Sequence, residues 1–388
     1  MSKAWLTRRG LPLAAVGAIM TMALAGCGSQ PTTSSNSSKT AAITPGVKAA
    51  MAFVKQVEAP PTWQGPTAPV NTKLAKGMTV DLVNLTMEIP ALNEWAVVAQ
   101  QQLEKAGVKV QICDAKGSPT GIAQCMQQGI AQHPDVLVAM SLDTSYIHDY
   151  IQQADKAGIK VITAQTGTPG IPHGTGAVAE VSFNYPLVGK ILGAWYASQG
   201  KCQGSYPQII TTTSARQPSA AEVSGIQGAL AQYCPSLKVR PVQNVLIPNW
   251  ATQLATVTRS DIIADPTLKY FLPLYDGMAI YMLPAVRQAG AADRVQMASF
   301  NGTPVVMQND VVLSPLKADI GGPNEWYGYA LADQIFRVLV GDPPVASENI
   351  PLRLFDSTNI GSINVNNSET TWYGPVSFQQ HYYQLWGF

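Results

Sequence analysis

The 388-residue sequence predicts an α/β protein built from two successive lobes, each on its own parallel sheet. Three observations carry that expectation. Short apolar runs alternate with amphipathic helical stretches from residue 79 to 164. The alternation breaks over 165–176, where Gly167, Pro169, Gly170, Pro172, Gly174 and Gly176 cluster. It then restarts and continues to residue 300 with the same spacing. Strands that alternate with helices at this interval form right-handed βαβ units around a parallel sheet.

In the first half, Thr79–Leu85 is a strand, followed by a helical face of Leu92, Trp95, Ala96, Ala99 and Leu103 that ends at Gly107. Val108–Cys113 is the next strand, and Ile122, Met126 and Ile130 mark a helix over 120–132. Val136–Met140 is a third strand, 145–157 a helix ending at Gly158, and Ile159–Ala164 a fourth strand. A strand over 177–182 leads into the second half: helix 186–199, strand 207–213, helix 219–233 and strand 237–243. Then come a helix near 250–264, a strand over 269–275, a helix over 277–289 and a strand over 295–300. A last amphipathic helix, about 325–340, carries Tyr329, Leu331, Ala332, Ile335, Phe336 and Leu339. In open parallel sheets a ligand sits beyond the carboxyl ends of the strands, so two facing lobes enclose a cleft there.

The N-terminus has a different character. Lys3, Arg8 and Arg9 precede an apolar stretch over 11–24, the layout of a secretory signal, too short for a stable membrane span. Leu24-Ala25-Gly26-Cys27 closes it and resembles the lipobox of bacterial lipoproteins. That resemblance implies removal of residues 1–26, lipidation of Cys27 and an extracytoplasmic protein held at the cell membrane. One acyl chain binds only marginally, so stable anchoring needs the several chains of such a lipoprotein. Residues 27–78 read as tether and linker: Ser/Thr/Asn-rich to about 40, a possible short helix over 45–57, then the Pro-rich 60–67 with Trp63 able to pin it to the folded body.

Loss of the leader removes three of 25 basic side chains and none of the 24 acidic ones, so the mature chain is close to neutral. Such a balance lacks the electrostatic footprint for nucleic acid or an anionic membrane surface. Cys113, Cys125, Cys202 and Cys234 permit two disulfides in an exported chain. Cys113–Cys125 and Cys202–Cys234 are favoured, because each pair then falls within one lobe; buried free thiols and a metal site are the alternatives. No C-x-x-C occurs and the four histidines are scattered, so no metal or other cofactor is expected.

Catalytic motifs are missing as well. The sequence has no G-x-x-x-x-G-K-[ST] loop, G-x-S-x-G elbow, H-E-x-x-H pair or G-x-G-x-x-G turn. His173-Gly174-Thr175-Gly176 reads as a flexible turn. The expectation is a binding protein, not an enzyme.

The segment over about 79–356 resembles the type I periplasmic binding proteins, in the ribose-like sugar-binding branch that serves bacterial ABC transporters. The residues that carry the resemblance are Asp114-Ala115-Lys116-Gly117-Ser118-Pro119, Asp143, Ala157 through Ile162, Asp276-Gly277-Met278-Ala279 and Ser299 through Pro304. It implies two Rossmann-like lobes joined by a three-segment hinge, with crossings near Phe183–Pro186, Gly321–Pro323 and 350–356. Lobe 1 is then 79–184 with about 323–349, lobe 2 is 185–322 with about 350–360, and 361–388 is an aromatic tail that packs on a lobe.

The same resemblance implies a small-molecule ligand taken up between the lobes by a monomer and passed to an ABC permease with a separate ATPase. A ligand-sensing receptor coupled to a signalling partner is the alternative. The family's ligand residues lie in loops after the strands, which selects Glu88, Met140, Gln165, Tyr275, Asp276, Phe300 and Asn301, with Met87 beside them. Here the sugar-gripping residues are largely replaced. Ile89-Pro90-Ala91-Leu92 lacks the stacking aromatic pair, Gln165-Thr166 stands where an Asp-Arg is common, and Glu222 falls near the place of a sugar-binding arginine. A less charged, more apolar cleft favours a ligand with fewer hydroxyls or a larger apolar part, so sugar-like and other small neutral organic solutes both remain open. Trp95 reads first as core with a route to the cleft rim, and Trp250 and Trp326 begin helices near it.

Overall fold

The computed structural model describes residues 43–388 except 168, 170–174, 310–314 and 368. The leader, Cys27 and half of the 165–176 break therefore lie outside the described residues. A first helix, α1 (Pro45–Glu58), starts where the Thr44 hydroxyl accepts the Val47 N–H at 3.2 Å and Pro45 supplies a preset φ.

The first lobe is β1 (Thr79–Asn84), α2 (Pro90–Lys105), β2 (Lys109–Asp114), α3 (Pro119–Gln132), β3 (Val136–Met140), α4 (Thr144–Lys156), β4 (Lys160–Ala164) and β5 (Ala177–Val181). Its five strands are parallel in the order β2-β1-β3-β4-β5. The central strand β3, Val-Leu-Val-Ala-Met, is buried on both faces, which is why it reads as an unbroken apolar run. Ser118 and Asp143 cap α3 and α4 by accepting the Gly121 and Ser145 N–H groups.

The second lobe contains α5 (Tyr185–Gly200), β6 (Gln208–Thr211), α6 (Arg216–Tyr233), β7 (Gln243–Asn244), α7 (Trp250–Ala264), β8 (Tyr270–Pro273), α8 (Asp276–Gln288), β9 (Gln296–Asn301), α9 (Pro304–Asn309) and β10 (Leu316–Gly321). After β10, α10 (Asn324–Val340) returns to pack on α2, and β11 (Arg353–Asp356) rejoins the second sheet. That sheet runs β11-β10-β9-β8-β6-β7, parallel except for the antiparallel pairing of β11 with β10. The α5–α6 contact is set by glycine: a Cβ on Gly189 would lie 2.0 Å from the Glu222 carbonyl oxygen, so no other residue allows this approach.

Several sequence expectations need correction here. The strand expected over 237–243 shrinks to Gln243–Asn244 at the sheet edge, because Pro241 has no N–H to give to a ladder. Helix α6 begins at Arg216, three residues earlier than its apolar face suggests. Strands β10 and β11 and helices α9 and α11 (Phe378–Trp386) were not expected, although α11 buries Phe378, Tyr382 and Trp386 at helical spacing. Disulfides join Cys113 to Cys125, tying β2 to α3, and Cys202 to Cys234, tying the ends of α5 and α6.

The chain passes from the first sheet to the second between β5 and β6, α10 returns to α2 before β11 rejoins the second sheet, and two further segments connect the lobes. Helix α1 lies on α5 and β11, while Val70 N–H donates to the Leu385 carbonyl and Thr72 Oγ1 to that of Trp386. Residues 59–71 thus run from the second lobe to the first. Trp63 pins this run, stacking on Trp326 at 5.4 Å and on His381 at 4.5 Å. The C-terminal stretch also returns from β11 to lay α11 on α10, with Trp386 stacked on Tyr329 at 5.7 Å.

Candidate functional site

The carboxyl ends of both sheets face a cleft, and a partly enclosed cavity lies in it. From the first lobe come Leu85 after β1, Ser141 after β3, Gln165 after β4, and the first turns of α2 with Ile89, Leu92 and Trp95. The second lobe supplies Tyr275 after β8, Asn301 at the end of β9, and Pro218, Ile247 and Trp250 from the starts of α6 and α7. Tyr185, at the crossing into the second lobe, completes the wall. None of the lining side chains is charged.

Backbone strain concentrates at this wall. Ser141, Gln165 and Asn301 have φ of +59°, +56° and +147°, although none is glycine. Such conformations persist where the surrounding bonds over-determine them, and they cluster at ligand sites. Around Gln165 those bonds are visible. Its side-chain oxygen accepts the Phe183 N–H at 3.3 Å and the Tyr185 hydroxyl, with the Ser182 hydroxyl 3.2 Å away. The following loop is fixed by buried Glu180, which accepts from the Thr166 N–H, the Thr166 hydroxyl and the Gly167 N–H at 2.9, 2.7 and 3.2 Å. The amide nitrogen of Gln165 has no protein partner, although the side chain is only 1% exposed. A backbone N–H can only donate, so Phe183 fixes which end of the amide faces it and leaves the N–H₂ toward the cavity.

Opposite Gln165, the Tyr275 hydroxyl pairs with the Ser219 hydroxyl at 3.0 Å. Glu222 lies buried behind Tyr185 and Tyr275, and burial pushes its carboxyl well above the usual carboxylate range. Burial and the nearby Glu222 likewise push both tyrosines up, so this wall is uncharged near neutral pH. The facing wall is apolar: Trp95 and Trp250 present rings, each with its indole N–H already spent. Trp95 donates to Asn324 Oδ1 at 2.8 Å and Trp250 to the Val245 carbonyl at 2.9 Å. Asn324 also donates to the Asn301 carbonyl at 3.1 Å, which couples the hinge helix α10 to both lobes. The cavity therefore offers one hydrogen-bonding edge and one flat apolar face.

An outer compartment shares Ile89, Ile247 and Trp250 and adds Thr86, Glu88, Lys116 and Tyr281. Glu88 accordingly stands at the mouth and not at the inner wall. Of the residues expected from sequence, Gln165, Tyr275 and Asn301 come together in the inner cavity. Met140 does not: it is core, and the next residue, Ser141, takes the lining position. Met87 accepts a hydrogen bond on sulfur from Asn84 at 3.0 Å. Phe300 points away from the cavity, since side chains alternate along β9, and it packs edge-on against Phe183 at 5.4 Å. Asp276 is fully buried under the wall and accepts from the Ser299 hydroxyl at 2.5 Å and the Thr303 N–H at 2.7 Å. Trp326 packs on Trp63 and Phe378. The residues missed were Tyr185 and Ser141; only the crossing position of Tyr185 marked it in the sequence, whereas the start of α2 reads from sequence as near the cleft.

Among the described residues no group of three potential ligands could hold a metal ion, and no helix is long and apolar enough to cross a membrane. Residues 80–343 match the family model described as the periplasmic binding protein domain. No curated protein matches the chain in sequence. Among solved structures, a solute-binding protein of an ABC transporter from Agrobacterium vitis, with bound allitol, is 19% identical. It superposes with a TM-score of 0.67 over 74% of this chain and 98% of that one. The 5-methylthioribose transporter solute-binding protein of Thermotoga lettingae is 17% identical, with a TM-score of 0.68 over 82% and 100%. The Caulobacter myo-inositol binding protein is 21% identical, with a TM-score of 0.64 over 74% and 96%.

Proposed function

The chain belongs to the periplasmic binding protein domain family, and from that premise we propose that it captures a small, neutral, sugar-like solute with a substantial apolar part for an ABC transporter. The observation that carries the ligand class is the two-sided cavity: an uncharged polar edge of Gln165, Tyr185, Tyr275 and Asn301 against the rings of Trp95 and Trp250. Carbohydrate hydroxyls need directed partners, and the apolar face of a sugar ring or substituent needs a flat surface. A free carboxylate or phosphate would meet no cation on this wall. Allitol, myo-inositol and 5-methylthioribose, bound by the similar proteins, are all neutral, and the last joins a polyol to an apolar thioether.

Ligand contacts to both lobes favour the closed arrangement over the open one, and closure is the signal a permease can read. A thermal-shift screen of the chain lacking residues 1–26 tests the ligand class. At 100 times Kd a ligand adds about 2.7 kcal/mol to apparent stability. Neutral polyols and alkylthio- or deoxy-sugars should raise Tm, and amino acids and sugar phosphates should not; the reverse ranking would refute the reading.

The Leu24–Cys27 motif supports a lipid tether at Cys27 that keeps the receptor beside its permease. Cys27→Ala should then abolish incorporation of labelled palmitate and lower cellular uptake of the ligand. Unchanged labelling would exclude this anchor.

A further inference from the structure

We infer that Asp143, Thr144, Arg216 and Gln217 form a latch between the two lobes that sets ligand affinity without touching the ligand. The inference rests on the reading that the cleft captures a solute. Asp143 and Thr144 open α4 in the first lobe, and Arg216 and Gln217 open α6 in the second. One oxygen of Asp143 is held by its own helix, accepting the Ser145 N–H at 2.8 Å and the Ser145 hydroxyl at 2.6 Å. The other lies 3.1 Å from Arg216 Nε as an ion pair without hydrogen-bond alignment. Gln217 Nε2 donates to Thr144 Oγ1 and lies 3.4 Å from Asp143 Oδ1.

These helices belong to different sheets, so the contacts exist only while the lobes are together. None of the four side chains lines the inner cavity or its mouth. A second interlobe contact flanks the mouth: Gly117, in the loop after β2, sits close enough that a Cβ there would lie 3.5 Å from Ile247 and 3.9 Å from Pro248. The polar latch differs from this apolar one in having its acceptor buried and pre-oriented. Asp143 is held rigid as a helix cap, whereas Arg216 is largely exposed and free to leave.

The consequence follows from population arithmetic. Apparent Kd equals the intrinsic value divided by the fraction of closed, competent protein. A contact that stabilises closure but does not meet the ligand therefore scales all affinities by one factor. A residue of the cavity wall changes affinities ligand by ligand. Arg216, Gln217 and Asp143 would act on the first of these and leave selectivity alone.

The test is the double variant Arg216→Ala/Gln217→Ala in the detergent-solubilised full chain, with spin labels introduced by Lys156→Cys on α4 and Ser260→Cys on α7. Without ligand, its interlobe distances should shift to longer values than those of the labelled parent. Affinities for 5-methylthioribose and myo-inositol should fall by one common factor, about 3- to 10-fold. High salt should weaken binding in the parent more than in the variant. Unchanged distances in a folded variant, or loss of one probe's affinity without the other's, would overturn the latch. Failure of all neutral sugars and polyols to bind would overturn the proposed ligand class instead, while the distance shift would still support the latch.

Discussion

Gln165→Glu will cost neutral sugar-like ligands about tenfold or more in affinity at pH 8, and most of the loss will return by pH 5. The argument begins with the Phe183 N–H, which can only donate and so holds an oxygen of residue 165 in place. Glutamate keeps that oxygen and the bond from Tyr185, but replaces the unpartnered amide N–H₂ of the cavity wall with a second oxygen. At pH 8 the wall then presents an acceptor where the ligand met a donor. The new carboxyl is buried, which raises a carboxylate's pKa. Acidification therefore protonates it and restores a donor, here O–H. The sign is distinctive: affinity falls as pH rises through the value of this one group. Gln165→Leu lacks both forms and should bind weakly at both pH values. Calorimetric titration of each variant at pH 5 and pH 8 decides the matter. Wild-type affinity in the glutamate variant at both pH values would show that Gln165 faces no ligand group.

Legibility in the sequence followed how local each signal is. The βαβ alternation is local, and the first-lobe strands come within a residue or two of their expected places because Val136–Met140 and its neighbours are apolar runs with clear stops. The placement of Gln165, Tyr275 and Asn301 in one cavity was legible from topology alone, since each lies where a strand ends. A shift of one residue was not. Met140 against Ser141, and Phe300 against Asn301, are decided by which face of a strand meets the core, and a strand buried on both faces gives no alternation to read. Trp95 reads first as core with a route to the cleft rim, and Tyr185 was not seen, for another reason. Both pack like core residues, and only the approach of the second lobe makes their exposed edges into a wall. The same holds for α11, whose Tyr382 and Trp386 are stabilised by partners such as Trp63 and Tyr329, distant in sequence.

Asp276 and Asp319 should show the largest effects on stability, with opposite outcomes for two small substitutions. Both carboxyls are fully buried and close enough to act on each other, so burial favours keeping a proton in the pair. Asp319 is the carboxyl that more strongly favours its neutral form. Asp276 already accepts from the Ser299 hydroxyl and the Thr303 N–H, which favour its charged form, whereas Asp319 accepts only the Gly302 N–H, at 3.3 Å. Burial and the Asp276 charge push Asp319 well above the usual range. Asp276→Ala would orphan the Ser299 hydroxyl, the Thr303 N–H and the Asp319 proton together, and should cost about 3–5 kcal/mol. Asp319→Asn keeps a donor for Asp276 and an acceptor for Gly302, and should cost little. A group whose folded pKa is raised contributes stability that is present below its unfolded pKa and lost as pH rises toward the folded value. Relative to Asp319→Asn, the wild type should therefore lose up to about 1.4 kcal/mol per pH unit as pH rises above the ordinary aspartate range toward the raised folded value. Urea unfolding at several pH values measures this, and parallel curves for the two proteins would place no proton on Asp319. Because Asp276 follows Tyr275 and Thr303 lies two residues after Asn301, the same bonds that stabilise this lobe also hold its half of the cavity wall. Asp276→Ala should thus weaken ligand binding even at temperatures where the protein stays folded, a loss that Asp319→Asn does not share.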